Sequence, residues 1–184
     1  DAAGGVMRWL DERGFGLAVG PARVPIVPAA VLFDLWHGDP AIRPDASAGY
    51  AACEAANTEP PALGAVGSGA GARVGKLWGI ARAMPGGIGS ASVSAGGVTV
   101  GALVACNAIG DVIDSDGSVL AGARSADGAA LMYSAAALTG PEPPQRVIAG
   151  TATTIGIVAT DAVLTKAQAN QLVRLAHHGL FNRQ

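Results

Sequence analysis

GGIGSASVSAGGVTVGALVACNAIGDVID, residues 86–114, is the stretch on which the fold turns. It holds two strand candidates, GGIGSASVSAG and GVTVGALVACNAIGDVID, meeting at Gly96-Gly97. A Gly-Gly pair between two such runs signals a hairpin, because tight hairpin turns need positive φ at their centre. In the second run Val98, Val100 and Val104 fall on one face, and Leu103 and Ala105 on the other. Both faces are apolar, which predicts a sheet covered on both sides. A third strand candidate is TTIGIVAT, residues 153–160. Thr151, Thr153 and Thr154 stand at its entrance, where β-branched residues are ordinary. The sequence therefore asks whether any of the three is more than a strand former.

Outward from these strands the pattern turns helical. In DAAGGVMRWLDERG, Val6, Trp9, Leu10 and Arg13 follow helical spacing, Asp1 can cap the first turn and Gly14 can end the helix. The segment RVPIVPAAVLFDLW is apolar, but Pro25 and Pro28 confine it to an edge or an irregular extended path. Residues 46–57, ASAGYAACEAAN, suit a helix. At the far end, Thr165 and Gln168 form a T-x-x-Q capping box ahead of an apolar stripe of Ala169, Leu172, Val173, Ala176 and Leu180. Residues 121–146 lose all period and carry Pro141, Pro143 and Pro144, which reads as a surface loop or mobile linker. Strands and helices alternate with glycine-rich connections, so the expected class is α/β or α+β, with a layered sheet in a single domain over residues 1–184.

Composition narrows the function. Half of the residues are hydrophobic and 14% are charged, a lean surface that predicts burial against partner subunits or further chain segments. A net charge of −2 gives no basis for a nucleic-acid partner or an acidic membrane surface. No apolar run reaches the roughly 18 residues of a membrane helix. Cys53 and Cys106 are too few for a disulfide scaffold and read as reduced thiols of a cytoplasmic protein.

Several familiar motifs fail on inspection. GSGAGARVGK ends in Gly75-Lys76 like a phosphate loop, but Leu77 stands where Ser or Thr must ligate Mg²⁺. A G-x-G-x-x-G fit breaks at Ala72. In GDVIDSDGSVLAG, Gly117 comes too early for a calcium loop and no Glu closes it, so an Asp-Gly turn between strands is expected. His177 and His178 are helical neighbours pointing about 100° apart, His37 stands alone, and neither a metal nor a cofactor is expected. There is no G-x-S-x-G elbow. Tyr50, Lys76, Asn107 and Thr153 remain as polar groups in apolar or glycine-rich surroundings, each with an ordinary structural alternative.

The blocks DAAGGVMRWLDERG, VPIVPAAVLFDL, GSGAGARVGK, MPGGIGSASV, VTVGALVACNAIGDV and TTIGIVATDAVLTKAQANQLVRLAHHGL, taken together and in order, resemble the self-processing L-aminopeptidase/D-amidase family. That family includes β-aminopeptidases and the nylon-oligomer endo-hydrolase. The resemblance implies a four-layer αββα sandwich and a precursor that cuts its own backbone between Ala152 and Thr153. The products would be residues 1–152 and 153–184, with Thr153 as the new N-terminus. The resemblance also implies an assembly of like subunits, tetramer-like, acting on a small peptide or amide. It assigns Lys76 to activation of Thr153, Asn107 to polarising the attacked carbonyl and Tyr50 to substrate binding. Ala152 stands where the nylon-oligomer branch has asparagine. Family members carry further residues upstream and an acidic D-G-D-T-type segment downstream, so the chain reads as a piece of a longer protein.

The chemistry is coherent without the name. A threonine hydroxyl needs a base to attack at neutral pH. A freed α-amino group, with a pKa of roughly 7.7–8.0, is neutral often enough to serve. Before scission that amine is an amide, so another group must activate the hydroxyl. Two further readings stay open: a self-cleaving acyltransferase of related architecture, and a catalytically silent homologue that only assembles.

Overall fold

The computed structural model describes residues 1–137, 139–142, 144–145 and 148–181. In chain order the elements are α1 (Ala2–Glu12), β1 (Leu17–Val19), β2 (Ala22–Val24), α2 (Ala46–Ala55), β3 (Arg73–Val74), β4 (Met84–Pro85), β5 (Gly87–Ala95), β6 (Val98–Asn107), β7 (Val112–Ile113), β8 (Val119–Ala121), α3 (Ser134–Ala137), β9 (Thr153–Thr160) and α4 (Lys166–Phe181). Helices accompany sheets in which every strand pairing is antiparallel, so the fold is α+β in character. The chain forms two compact units: Asp1–Val31 with Gly38–Pro60, and Leu32–His37 with Pro61 onward.

The first unit is an α1–α2 pair with a short β1–β2 hairpin. Asp1 caps α1 as its sequence position predicts, its carboxylate accepting from Gly4 N at 3.0 Å. Asp45 does the same for α2. The two helices touch backbone to backbone. A Cβ on Gly5 would come within 1.8 Å of Ala46 O, and one on Gly49 within 1.9 Å of Ala2 O. Both glycines are buried. Only hydrogen fits at this crossing.

The second unit is organised by the β5–β6–β9 sheet, antiparallel throughout. Ala95 pairs with Val98 across Gly96 (φ 59°) and Gly97 (φ 78°), the two-residue turn that the glycine pair predicts. β6 is the central strand and is half-buried to buried from Thr99 to Asn107. The expected cover on both sides is not supplied along β5, which is exposed from Gly89 onward. The Asp-Gly turn joins β7 to β8, with Gly117 at φ 87°.

α4 begins with the predicted capping box: Thr165 N donates to Gln168 Oε1 at 2.9 Å, and Gln168 N to Thr165 Oγ1 at 3.3 Å. Its buried stripe is narrower than predicted. Leu172, Ala176 and Leu180 are half-buried, whereas Ala169 and Val173 are exposed. Leu172 and Leu175 line an open cleft with Val98, Val100 and Thr160 of the sheet.

Residues 121–146 correct the linker expectation for their first part. Ala123 is fully buried and packs on Trp78, with Leu77 and Met132 around them. Arg124 and Leu131 form a bridge, and Ser134 is buried at the start of α3. Small side chains, which blur any period, are what allow this backbone to lie against the core. Pro143 and Arg146 lie outside the described residues. Neither Cys53 nor Cys106 is in a disulfide, and both are half-buried.

Candidate active site

The core of the second unit is small, made of Ala72, Val74, Trp78, Ala105, Ala108 and Ala123, and Lys76 sits among these residues. Gly75 adopts the left-handed region (φ 73°), so the chain can turn sharply out of β3. Gly75 N donates to Gly110 O at 2.7 Å and Lys76 N to Ile109 O at 2.8 Å, which fixes the backbone from which the lysine projects. The Lys76 side chain then runs inward and is only 7% exposed.

Its ammonium meets three oxygens and, among the described residues, forms no ion pair with a carboxylate. Nζ donates to Asn107 O at 2.9 Å, Asn107 Oδ1 at 3.0 Å and Thr151 O at 2.7 Å. A lysine has three donors, and all three are used. Neutral acceptors compensate a buried charge less than an anion would. Burial therefore pushes the Lys76 pKa down from 10.5 to about 8, with the Cys106 thiol a lesser influence in the opposite direction. A lysine poised near neutrality can take or give a proton under ordinary conditions.

Asn107 ends β6 and is 1% exposed. Its Oδ1 also accepts from Arg73 N at 2.9 Å, and its Nδ2 donates one hydrogen to Phe33 O at 2.9 Å. The amide is thus locked in one orientation, with Oδ1 facing the lysine. Thr151 is 5% exposed, and its Oγ1 donates to Ile148 O at 2.7 Å. Two residues later, half-buried Thr153 opens β9 with Asn107 as its register partner, while Thr154 pairs with Cys106. Asn107, Lys76 and the approach to Thr153 are therefore brought together. The ammonium itself bonds Thr151 O and not the Thr153 hydroxyl.

A small cavity of about 10 Å³ adjoins this cluster, lined by Lys76, Asn107, Thr151, Arg73, Asp34 and His37 among others. It has room for roughly one water. His37, which stands alone in the sequence, has its Nδ1 2.8 Å from the Arg73 guanidinium. Tyr50 belongs to the first unit. There its hydroxyl donates to Glu12 Oε2 at 2.6 Å and accepts from Arg13 at 3.4 Å.

Sequence reasoning did not anticipate the parts played by Thr151 O, Phe33 O and the Arg73–His37 contact. The first two are backbone carbonyls, which carry no residue-type signature. For Thr151, the lone signal was its place in a threonine cluster.

Comparison with known proteins adds an independent line. Residues 1–183 match the family model described as Peptidase family S58. An uncharacterized aminopeptidase of Mycobacterium leprae is 41% identical over 97% of this chain and 50% of its own length. Uncharacterized aminopeptidases of Mycobacterium bovis and Mycobacterium tuberculosis are 41% identical over 97% of this chain and 52% of theirs. The chain thus spans about half the length of the curated relatives it matches.

Proposed function

The chain belongs to peptidase family S58, and on that premise we propose that it is the nucleophile-bearing part of an amide hydrolase activated by its own cleavage between Ala152 and Thr153. In the precursor, Thr153 Oγ1 attacks the Ala152 carbonyl carbon and the peptide nitrogen leaves as the amine of Thr153. Water then hydrolyses the resulting ester to leave the Ala152 carboxylate. The mature enzyme repeats the same chemistry on an external amide, with the freed α-amine taking the hydroxyl proton. The substrate is a short peptide or amide with a free amino end, or an ω-amino-acid oligomer. No cofactor enters the scheme.

One observation carries this reading. A buried lysine with a pKa of about 8 grips the Thr151 carbonyl, and Thr153 lies in register with the asparagine that shares that lysine. The grip holds the backbone immediately ahead of the bond to be cut, and restraint of this kind supplies proximity in intramolecular attack. Lys76 is the group that relays the hydroxyl proton before the α-amine exists. The second N–H of Asn107 is the donor for charge developing on the carbonyl oxygen. The open β5–β6–β9 sheet is one inner layer of an αββα sandwich, and its exposed residues meet like subunits.

Intact-mass spectrometry tests the proposal. The expected result is two fragments that divide at Ala152–Thr153 and a single uncleaved chain in Thr153→Ala, with amide hydrolysis lost in that variant. A fully active Thr153→Ala protein would refute the assignment.

A further inference from the structure

Asp111 is a buried carboxylate that the proposed chemistry does not use. It is 3% exposed, and among the described residues no cation pairs with it. Both oxygens are spent on one residue: Oδ2 accepts from Ser134 N at 2.5 Å and Oδ1 from Ser134 Oγ at 2.6 Å. Burying an unpaired carboxylate is costly, and the two hydrogen bonds offset that cost while fixing geometry.

What that geometry holds is visible on either side. The two residues before Asp111 supply the carbonyls that tether the backbone of Gly75 and Lys76. Gly122 lies against the Asp111 carboxylate so closely that a Cβ there would sit 2.2 Å from Oδ1. The same segment presses on Gly75, where a Cβ would sit 2.0 Å from Ala123 N. The turn at 109–111, the strand end at 122–123, the start of α3 and the Gly75-Lys76 corner thus form one frame, tied together by a single side chain.

We propose that Asp111 is a positioning residue for Lys76: by clamping Ser134 and bearing on Gly122, it holds the 109–111 turn and the 122–123 backbone around Gly75 so that the ammonium is delivered to Asn107 and Thr151. It acts through the frame: the ammonium's hydrogen bonds go to Asn107 and Thr151, while those of the Asp111 carboxylate go to Ser134. The role assigned to Lys76 rests on the function proposed above.

The test separates the two claims. Lys76 is titrated by NMR in the full chain carrying Thr153→Ala, where no processing intervenes. Lys166 is the sequence's other lysine and serves as an internal reference. Asp111→Asn replaces one acceptor oxygen by an amide that confronts Ser134's donors, and Ser134→Ala removes one of the two bonds if the first variant folds poorly. The other groups near Lys76, namely Cys106 and the cavity's Asp34, His37 and Arg73, are untouched. The expected result is a Lys76 midpoint that rises from about 8 by about one unit or more toward its ordinary value as water reaches the loosened ammonium. In the Thr153 background, processing falls about tenfold or more. A midpoint that stays near 8 while thermal stability drops would reduce Asp111 to a structural residue and overturn the proposal. If no chain with Thr153 ever cleaves, the reading of Thr153 fails, and the titration still decides the role of Asp111.

Discussion

At the residue scale, Lys76 sets the terms. The folded chain holds it at about 8, below the 10.5 of the exposed group, so between those values the unfolded chain binds more protons. Stability contributed through this residue therefore rises with pH across that window and is level on either side. Urea unfolding of wild type and Lys76→Met between pH 7 and 11 should show this as a difference: the wild-type curve gains on the variant through the window. Parallel curves would mean that the ammonium is solvated. Little of the environment was legible beforehand. Gly75-Lys76 after a glycine-rich run marked a lysine of interest, but its acceptors come from residues 107 and 151, far along the chain, and two of the three are backbone carbonyls. The same holds for Asp111, whose sequence context, GDVIDSDG, pointed to a turn and concealed a buried clamp.

At the element scale, local chemistry was read well wherever a residue type has a local reason to be there. Asp1 and the Thr165–Gln168 box mark helix starts because side chains satisfy orphan N–H groups, and Gly96-Gly97 marks a hairpin because the turn excludes side chains. Thr165→Ala should cost about 1 kcal/mol, measured by chemical denaturation. The α1–α2 crossing is different. Gly5 and Gly49 look like weak helix residues in sequence, and only the structure shows the carbonyls at 1.8 and 1.9 Å that forbid a side chain. Gly49→Val should lose about 1–3 kcal/mol by forcing the helices apart. An unchanged unfolding midpoint would mean that the helices do not meet this closely. The covered sheet predicted from β6 went only partly right, because alternation reports what a strand can bury and not which segment does the burying.

At the scale of the whole molecule, apolar surface outruns what charged side chains can balance. Val93 and Val173 are 66% and 62% exposed, Ile157 62% and Leu175 56%. Dispersed apolar residues are normal, but here they recur along the sheet and the last helix. Sedimentation at micromolar concentration should therefore give species heavier than the 18.1 kDa chain; a lone monomer would contradict this. The ladder between β6 and β9, eight paired positions from Val100↔Thr160 to Asn107↔Thr153, bears on what scission would release. Under the proposed scission, opening the bond before Thr153 would free nothing into solvent. The C-terminal piece would stay zipped along its partner, and the newborn amine would emerge already seated at the end of that zipper. On that proposal, severing the chain and building the catalyst would be one event, with no diffusive search between them.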